Sequence, residues 1–419
     1  MKKILFLTDM WSPQPTANAI CVKNIAHVLQ ERGWNVYVNA FSGGDGKKSE
    51  IYDGIHIEYT RPALSRQLIT RSNFVSEGRK KKIISACGIM LNRLTRLLFL
   101  PCYPITAPIF TLLWSIKVSK QIERNDIDTI VSVNAPLDSV ATAYLVKRKH
   151  PKLRWISYYI DGGSNYGKEQ NFLAVKKRLQ NKSVKWENKV LSYADKIVIM
   201  EGHSRFYKSI LCDENLEHVE ILNVPLFSVH VVEDGKRQEN HYKSSDKEIW
   251  TYMGTIRDGF YNPQKLFAWF LKYSNTHNAE LHLYGSTNMD DFLKKNCDEK
   301  HIFYHGVVSH DRVDEILRNS DVLVYFRSER LDSVSGKFFE YLMYRKPIVY
   351  FGPKSDINWM QLVKYPLGIA IDNETEKQTK EFDAINKKDF TLSDSMLRQT
   401  YYTSTPEAFV DMIEGVERK

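Results

Sequence analysis

Residues 327–352 read RSERLDSVSGKFFEYLMYRKPIVYFG, and the six residues before them, 321–326, read DVLVYF. DVLVYF is a short apolar, β-branched and aromatic run, the pattern of a strand buried on both faces. SGKFFEYLMY (335–344) has helical spacing, Pro347 halts the helix, and KPIVYF (346–351) is a second buried strand. A strand, a helix and a strand in this order predict a right-handed crossover in a parallel sheet. The helix then starts near Ser335 or Gly336, at the carboxyl end of its strand, where open parallel sheets bind ligands. Its first N–H groups lack intrahelical partners and its dipole is positive there, which suits an anion. Lys337 adds a full charge, while Asp332 in the loop and Glu340 one turn in stand eight positions apart. About six such acid pairs arise by chance in a chain this acidic, and Lys337 with Glu340 also reads as a plain i,i+3 surface pair. What singles the stretch out is that strand end, helix start, cation and acids coincide. A cation at a helix start suits phosphate and flanking acids suit sugar hydroxyls; a nucleotide-sugar carries both.

Outward from this stretch the same alternation continues. On the N-terminal side lie EIWTYMGTI, PQKLFAWFLKYS, AELHLYG, MDDFLKKNC, HIFYHG and HDRVDEILRNS, and LGIAI (367–371) follows. An earlier series begins with KKILFLTD and CVKNIAHVLQERG and runs through WNVYVNAF, DTIVSVNAP, LRWISYYIDGG and DKIVIMEG to VEILNVPL (219–226). YDGIHIEYTRP (52–62) adds a short strand or hairpin. Residues 228–247, SVHVVEDGKRQENHYKSSDK, are polar and charged, as a linker is. The expected architecture is therefore α/β: a doubly wound domain over 1–227, a linker over 228–247, a second doubly wound domain over 248–400, and a tail over 401–419. TPEAFVDMIEGV in that tail reads as an amphipathic helix. A chain of 419 residues exceeds what one core usually serves, which agrees.

The strand-end rule selects four loops, Trp11–Asn18, Asp161–Gly167, Thr255–Asn262 and Arg327–Val334. The first has no glycine, so the G-x-G-x-x-G of a dinucleotide fold is missing; no G-x-x-x-x-G-K-[ST], G-x-S-x-G or H-E-x-x-H occurs either. Five scattered cysteines without a C-x-x-C pair argue against a disulfide framework or a zinc site and suit a reducing cytosol. The formal charge is +9, and a dense basic group, Arg66, Arg71, Arg79–Lys82, Arg93 and Arg96, precedes an uncharged run from Leu97 to Ile116. Pro101, Pro104 and Pro108 interrupt that run, so a buried helix pair or an interfacial segment is expected rather than a span. No nucleic-acid motif accompanies the charge.

SGKFFEYLMYRKPIV resembles the signature of GT-B glycosyltransferases of family four, with Asp332 and Glu340 in place of that family's two glutamates eight apart. ILFLTDMWSPQPTANAICVKNIAHVLQERGWNVYV resembles the family's first βαβ unit, and WENKVLSYADKIVIM, YMGTI, LHLYG and HIFYHGVVSHDRVDEILRNSDVLVYF resemble later elements in order. The resemblance implies two Rossmann-like domains facing a cleft, the acceptor on the first, the nucleotide-sugar on the second, and the last helix returning to the first. It implies metal-independent, configuration-retaining transfer of a sugar, with no cofactor beyond a nucleoside-diphosphate sugar, uridine rather than guanosine. By position it assigns Glu340 to the ribose, Asp332 and Ser333 to the donor sugar, Lys337, Ser335, Gly336 and the offset Arg257 to phosphate, and backbone near Val307 and Val308 to the base. Asp161, at a first-domain strand end, is assigned with Asp332 and Glu340 to the catalytic group, and Thr16 and Asn18 to the acceptor or donor loop. Ala17-Asn18 stand where the family has Gly-Gly. The basic and apolar region 66–120 adds the expectation of an anionic membrane face, hence a cytoplasmic protein peripheral to the inner side of the cell membrane and a lipid-linked saccharide acceptor of surface polysaccharide. An inactive glycosyltransferase-like binding or scaffold protein is the alternative.

Overall fold

Residues Ile4 to Thr8 are buried on both faces, which makes the first strand central rather than half-exposed. The computed structural model describes residues 2–12, 15–43, 46–73, 78–160, 162, 173–227, 247–259, 261–298, 300–327, 334–378 and 393–416. The chain divides into two compact units, Met1–Pro225 together with Pro406–Lys419, and Leu226–Thr405.

The first unit runs β1 (Lys3–Ser12), α1 (Ala17–Glu31), β2 (Asn35–Ser42), β3 (Ser49–Tyr52), β4 (Ile55–Thr60), α2 (Leu64–Asn73), α3 (Arg79–Leu98) and α4 (Pro108–Asn125). It continues with β5 (Thr129–Val133), α5 (Leu137–Lys149), β6 (Arg154–Tyr159), α6 (Leu173–Leu191), β7 (Lys196–Met200), α7 (Glu201–Ile210), α8 (Asp213–Leu216) and β8 (Val219–Leu222). The strands form one eight-stranded sheet in the order β3-β4-β2-β1-β5-β6-β7-β8. All neighbours are parallel except β3 and β4, a hairpin whose two turn residues, Asp53 and Gly54, both have positive φ. The chain winds outward from β1 in one direction and resumes at β5 on the other side, so the topological switch point lies between β1 and β5. Trp114 and Trp155 are fully buried, and their ring N–H groups donate to Asn39 Oδ1 (2.8 Å) and Ser132 Oγ (2.9 Å). A buried indole needs such a partner.

The second unit runs β9 (Glu248–Met253), α9 (Gln264–Ser274), β10 (Ala279–Tyr284), α10 (Asp290–Asn296), β11 (Ile302–Tyr304), α11 (His310–Asn319) and β12 (Val322–Phe326). After these come α12 (Gly336–Leu342), β13 (Ile348–Phe351), α13 (Ile357–Leu362), β14 (Gly368–Ile371) and α14 (Asp394–Thr400). Its six strands are all parallel, in the order β11-β10-β9-β12-β13-β14, and its switch point lies between β9 and β12. Central β12 is buried at every residue, as its unbroken apolar run predicts.

The last helix, α15 (Pro406–Glu414), packs on α1 in the first unit. Phe409, Val410 and Ile413 are buried, Phe409 lies against Tyr158, and Arg32 pairs with Asp411 and Glu414. Trp34 Nε1 donates to Glu414 at 2.9 Å. The two units divide at Pro225/Leu226 and Thr405/Pro406. The reason is local: the Phe227 N–H donates to Ser404 O, and the Phe227 ring meets Tyr401 edge-on.

The uncharged run 97–116 is not one element. It holds the end of α3, a 3-10 turn at Leu100–Cys102, and the start of α4. α4 buries Thr111, Trp114, Ser115 and Val118 and exposes Ile109, Leu112, Leu113 and Ile116. A fully buried helix pair is therefore not what forms. No helix among the described residues is long and apolar enough to cross a membrane.

Candidate functional site

The switch point of the second sheet gathers the ends of β9 and β12 and the start of α12. Tyr252, inward near the end of β9, donates its hydroxyl to Thr255 O at 2.8 Å, and its ring stacks on Phe326 at the end of β12. The backbone then turns at Gly254. An added Cβ there would stand 2.1 Å from Lys337 Cε, and one on Gly285 would stand 2.1 Å from the Gly254 carbonyl oxygen. Two strand ends and a lysine are thus packed at distances only glycine permits.

Lys337 occupies the centre of this arrangement. Its ammonium lies 5.6 Å from the centroid of the Tyr252 ring and 4.9 Å from that of Tyr261. Rings hold a cation by their quadrupole without neutralising it. Burial pulls the Lys337 pKa below the ordinary lysine value, and Glu340 one turn away acts in the opposite direction. A half-buried cation held against two rings is suited to an incoming anion. Tyr341 fixes the geometry from below, its oxygen accepting the Met253 N–H at 3.0 Å.

The helix start contributes less than its sequence suggests. The Ser335 N–H is already committed to Asn358 Oδ1 at 2.7 Å, so it does not point free into the crevice as a phosphate donor. Ser335 is the N-cap without a side-chain cap bond, Gly336 packs against Leu226, and α12 has seven residues. A helix this short has a weak dipole, so the charge of Lys337 dominates. Glu340, one turn further on, is exposed.

Arg257 lies in the β9 loop and is exposed; its backbone pairs with Tyr261 in both directions, 3.1 and 2.7 Å, and this closes the loop over Lys337. Val307 is 74% exposed and Val308 half-buried, in the loop after β11, beyond Gly306 with its φ of 72°. Asp332, Ser333 and Asp161 lie outside the described residues. In the first unit, Thr16 is the N-cap of α1. Its oxygen accepts from the Ala19 N–H and its hydroxyl donates to Asp9. Its capacity is spent on the cap, which removes it as a free donor to a ligand. Asn18, half-buried, lies in the first turn of that helix.

Sequence alone does not reveal Tyr252, Gly254 and Tyr261 as neighbours of Lys337, although YMG after a predicted strand was the available signal. Arg327, at the end of β12, is another cation on this rim; Asp356, almost fully buried, holds its Nε at 3.5 Å. Among the described residues no three His, Cys, Asp or Glu side chains converge as a metal site requires.

No protein-family model and no curated protein sequence matches the chain. Solved structures do match it in fold. HepE of Anabaena, in complex with UDP and glucose, superposes with a TM-score of 0.53 at 13% identity, over 98% of this chain and 95% of that one. The lipopolysaccharide outer core galactosyltransferase WaaB gives 0.53 at 13% identity, over 99% of both chains. The UDP-forming α,α-trehalose-phosphate synthase of Burkholderia xenovorans, in complex with glucose 6-phosphate, gives 0.56 at 8% identity, over 98% and 99%. The chain has the GT-B glycosyltransferase fold, with two Rossmann-like doubly wound sheets.

Proposed function

We propose that this protein is a glycosyltransferase that moves a sugar from a uridine-diphosphate sugar to a lipid-linked saccharide acceptor in surface-polysaccharide assembly, with retention of configuration. The observation that carries the reading is Lys337, a desolvated cation held between Tyr252 and Tyr261 at the switch point of the second sheet. There it neutralises the diphosphate of the donor and then the charge that grows on the leaving phosphate. Gly336 and Arg257 supply further phosphate contacts, Glu340 holds the ribose, and the backbone at Val307 and Val308 holds the base. Asp332 and Ser333 contact the donor sugar on the strength of the resemblance, and Asp161 contacts the reacting sugars by the strand-end rule. HepE carries UDP and glucose, and the UDP-forming trehalose-phosphate synthase carries glucose 6-phosphate, which supports a uridine donor.

The membrane half of the reading rests on α3. Ile83, Met90, Leu94 and Leu97 recur on one helical face and are 53 to 70% exposed. Arg79–Lys82, Arg93 and Arg96 flank them, and the helix contains no acid. An apolar ridge bordered only by cations fits an anionic bilayer surface. It supports a position at the inner face of the cell membrane.

Thermal melting with UDP, GDP and their sugars tests the donor half. A ligand at a hundredfold excess over its Kd stabilises by about 2.7 kcal/mol, which moves the melting point by several degrees. UDP is expected to do so and GDP to do less; no shift with either sinks the reading. The second reading, a scaffold without turnover, draws on Ser335, whose N–H is engaged, and on Thr255, which stands where the family has an arginine. Glu340→Ala separates the two, because only an enzyme has turnover to lose.

A further inference from the structure

The connection after β4 sends α2 back across the carboxyl end of the first sheet. Arg66, in the first turn of α2, lies with its guanidinium 5.2 Å from the centroid of Phe41, near the end of β2. The same guanidinium reaches Asp138 Oδ2 at 3.5 Å, in the first turn of α5 after β5. In the order β4-β2-β1-β5 these contacts stand on both sides of β1, so Arg66 spans the switch point of the sheet. Asp138 is buried, and its other oxygen accepts from Thr111 Oγ1 at 3.2 Å. Burial raises its pKa, with Arg66 and Thr111 acting against that shift. Asp9, a further acid on β1, is tied to Thr16.

An arginine present only to neutralise a buried carboxylate would make a bidentate, enclosed pair. Here one nitrogen makes one long contact and the side chain stays 40% exposed. Its remaining N–H donors have no protein partner among the described residues. The Phe41 ring and Asp138 flank the guanidinium. Leu64, two residues earlier on α2, and Ile109 beside Phe110 on α4 are 60% and 62% exposed, and Phe110 packs on Phe41. The rim around Arg66 is therefore part cation and part apolar surface.

We propose that Arg66 is the acceptor-anchoring residue, binding a phosphate of the acceptor across the β1/β5 switch point, with Asp138 and Phe41 as positioning residues. This rests on the glycosyltransferase reading, and it names the acceptor chemistry as a phosphorylated saccharide or lipid. A planar fork suits phosphate because two parallel N–H groups meet two oxygens.

The test uses the full chain and two phosphate probes. One is phosphatidylcholine vesicles doped with a polyprenyl phosphate, read by co-sedimentation; the other is glucose 6-phosphate in solution, read by calorimetry. Arg66→Gln is expected to weaken the bound probe by about 10- to 100-fold, the range for a charge-assisted hydrogen bond. Arg66→Lys is expected to recover only part of that, since a point charge cannot reproduce the fork. Loss on the vesicles alone assigns the phosphate to a lipid, and loss in solution assigns it to a free sugar phosphate. UDP melting shifts, read on the same variants, report the donor site separately. If UDP stabilises every variant while Arg66→Gln binds both probes as the wild type does, or the wild type binds neither, the anchor is overturned. If UDP fails on the wild type, it is the donor reading that falls.

Discussion

Replacing Gly254 by alanine perturbs the phosphate seat without touching a charged group. The new methyl carbon would sit 2.1 Å from Lys337 Cε, 2.9 Å from Nζ and 3.1 Å from the Tyr252 oxygen. Carbon atoms rest at about 3.5–4.0 Å, so the end of Lys337 must retreat by roughly 1.5 Å and leave its place between Tyr252 and Tyr261. Gly254 also has a φ of 156°, which strains any other residue by about 1–3 kcal/mol. Misplacing a binding or reacting group by about 1 Å costs on the order of 100-fold in rate. Gly254→Ala is therefore expected to fold with a melting point a few degrees lower and to lose about 100-fold in kcat/KM, with a matching fall in UDP affinity. Calorimetric titration with UDP and a sugar-transfer assay measure both. A double-mutant cycle sharpens the result. In a Lys337→Ala background the clash with the lysine is gone, so Gly254→Ala should cost only the backbone strain and the tight approach to the Tyr252 oxygen. UDP affinity unchanged in a folded Gly254→Ala protein, or stability effects of the two changes that simply add, would refute the packing on which the site is built.

Lys337→Met keeps the length and removes the charge. Because the cation is desolvated, the melting point should hold or rise, while UDP binds about 10- to 100-fold more weakly; a melting point that falls sharply with UDP affinity retained would make Lys337 a structural residue. His203 is buried and its pKa is lowered to about 4 by desolvation. Unfolded, it titrates near 6.5, so the folded state binds fewer protons between pH 6.5 and 4, and its contribution to stability is complete above that window and is lost as the pH falls through it. At pH 5 the loss is on the order of 1–2 kcal/mol, and urea unfolding at pH 7 and pH 5 should show it in the wild type and not in His203→Asn. Leu94→Asp and Leu97→Asp, at positions 53% and 70% exposed, should leave melting unchanged and abolish co-sedimentation with phosphatidylserine vesicles. Vesicle binding that persists in both variants removes α3 as the membrane face.

The two doubly wound domains were legible because central strands announce themselves. ILFLT and VLVYF are apolar at all or all but one position, and such runs arise when helices cover both faces of a parallel sheet. Asp53-Gly54 marked its hairpin by turn chemistry. The region 97–116 was harder, since an uncharged run shows no face until it is known where the helix breaks. The break at residues 100–103 leaves the start of α4 with one buried and one exposed side, both made of uncharged residues as far as Ile116.

At the candidate site, the sequence by itself places Lys337 and Glu340 on a helix that opens at a strand end, since those are local facts of spacing and period. Only the tertiary structure brings Tyr252 and Gly254 from β9 and Tyr261 from its loop around that lysine, because the crossover makes β9 and β12 neighbours although some seventy residues separate them. Pairings of that kind leave no trace in local pattern. The same holds for the Ser335 N–H, spent on Asn358, for Thr16, spent on its own cap, and for Arg66, which meets Asp138 from seventy-two residues away. Charge and period are written along the chain; which donors stay available is decided by what the fold packs against them.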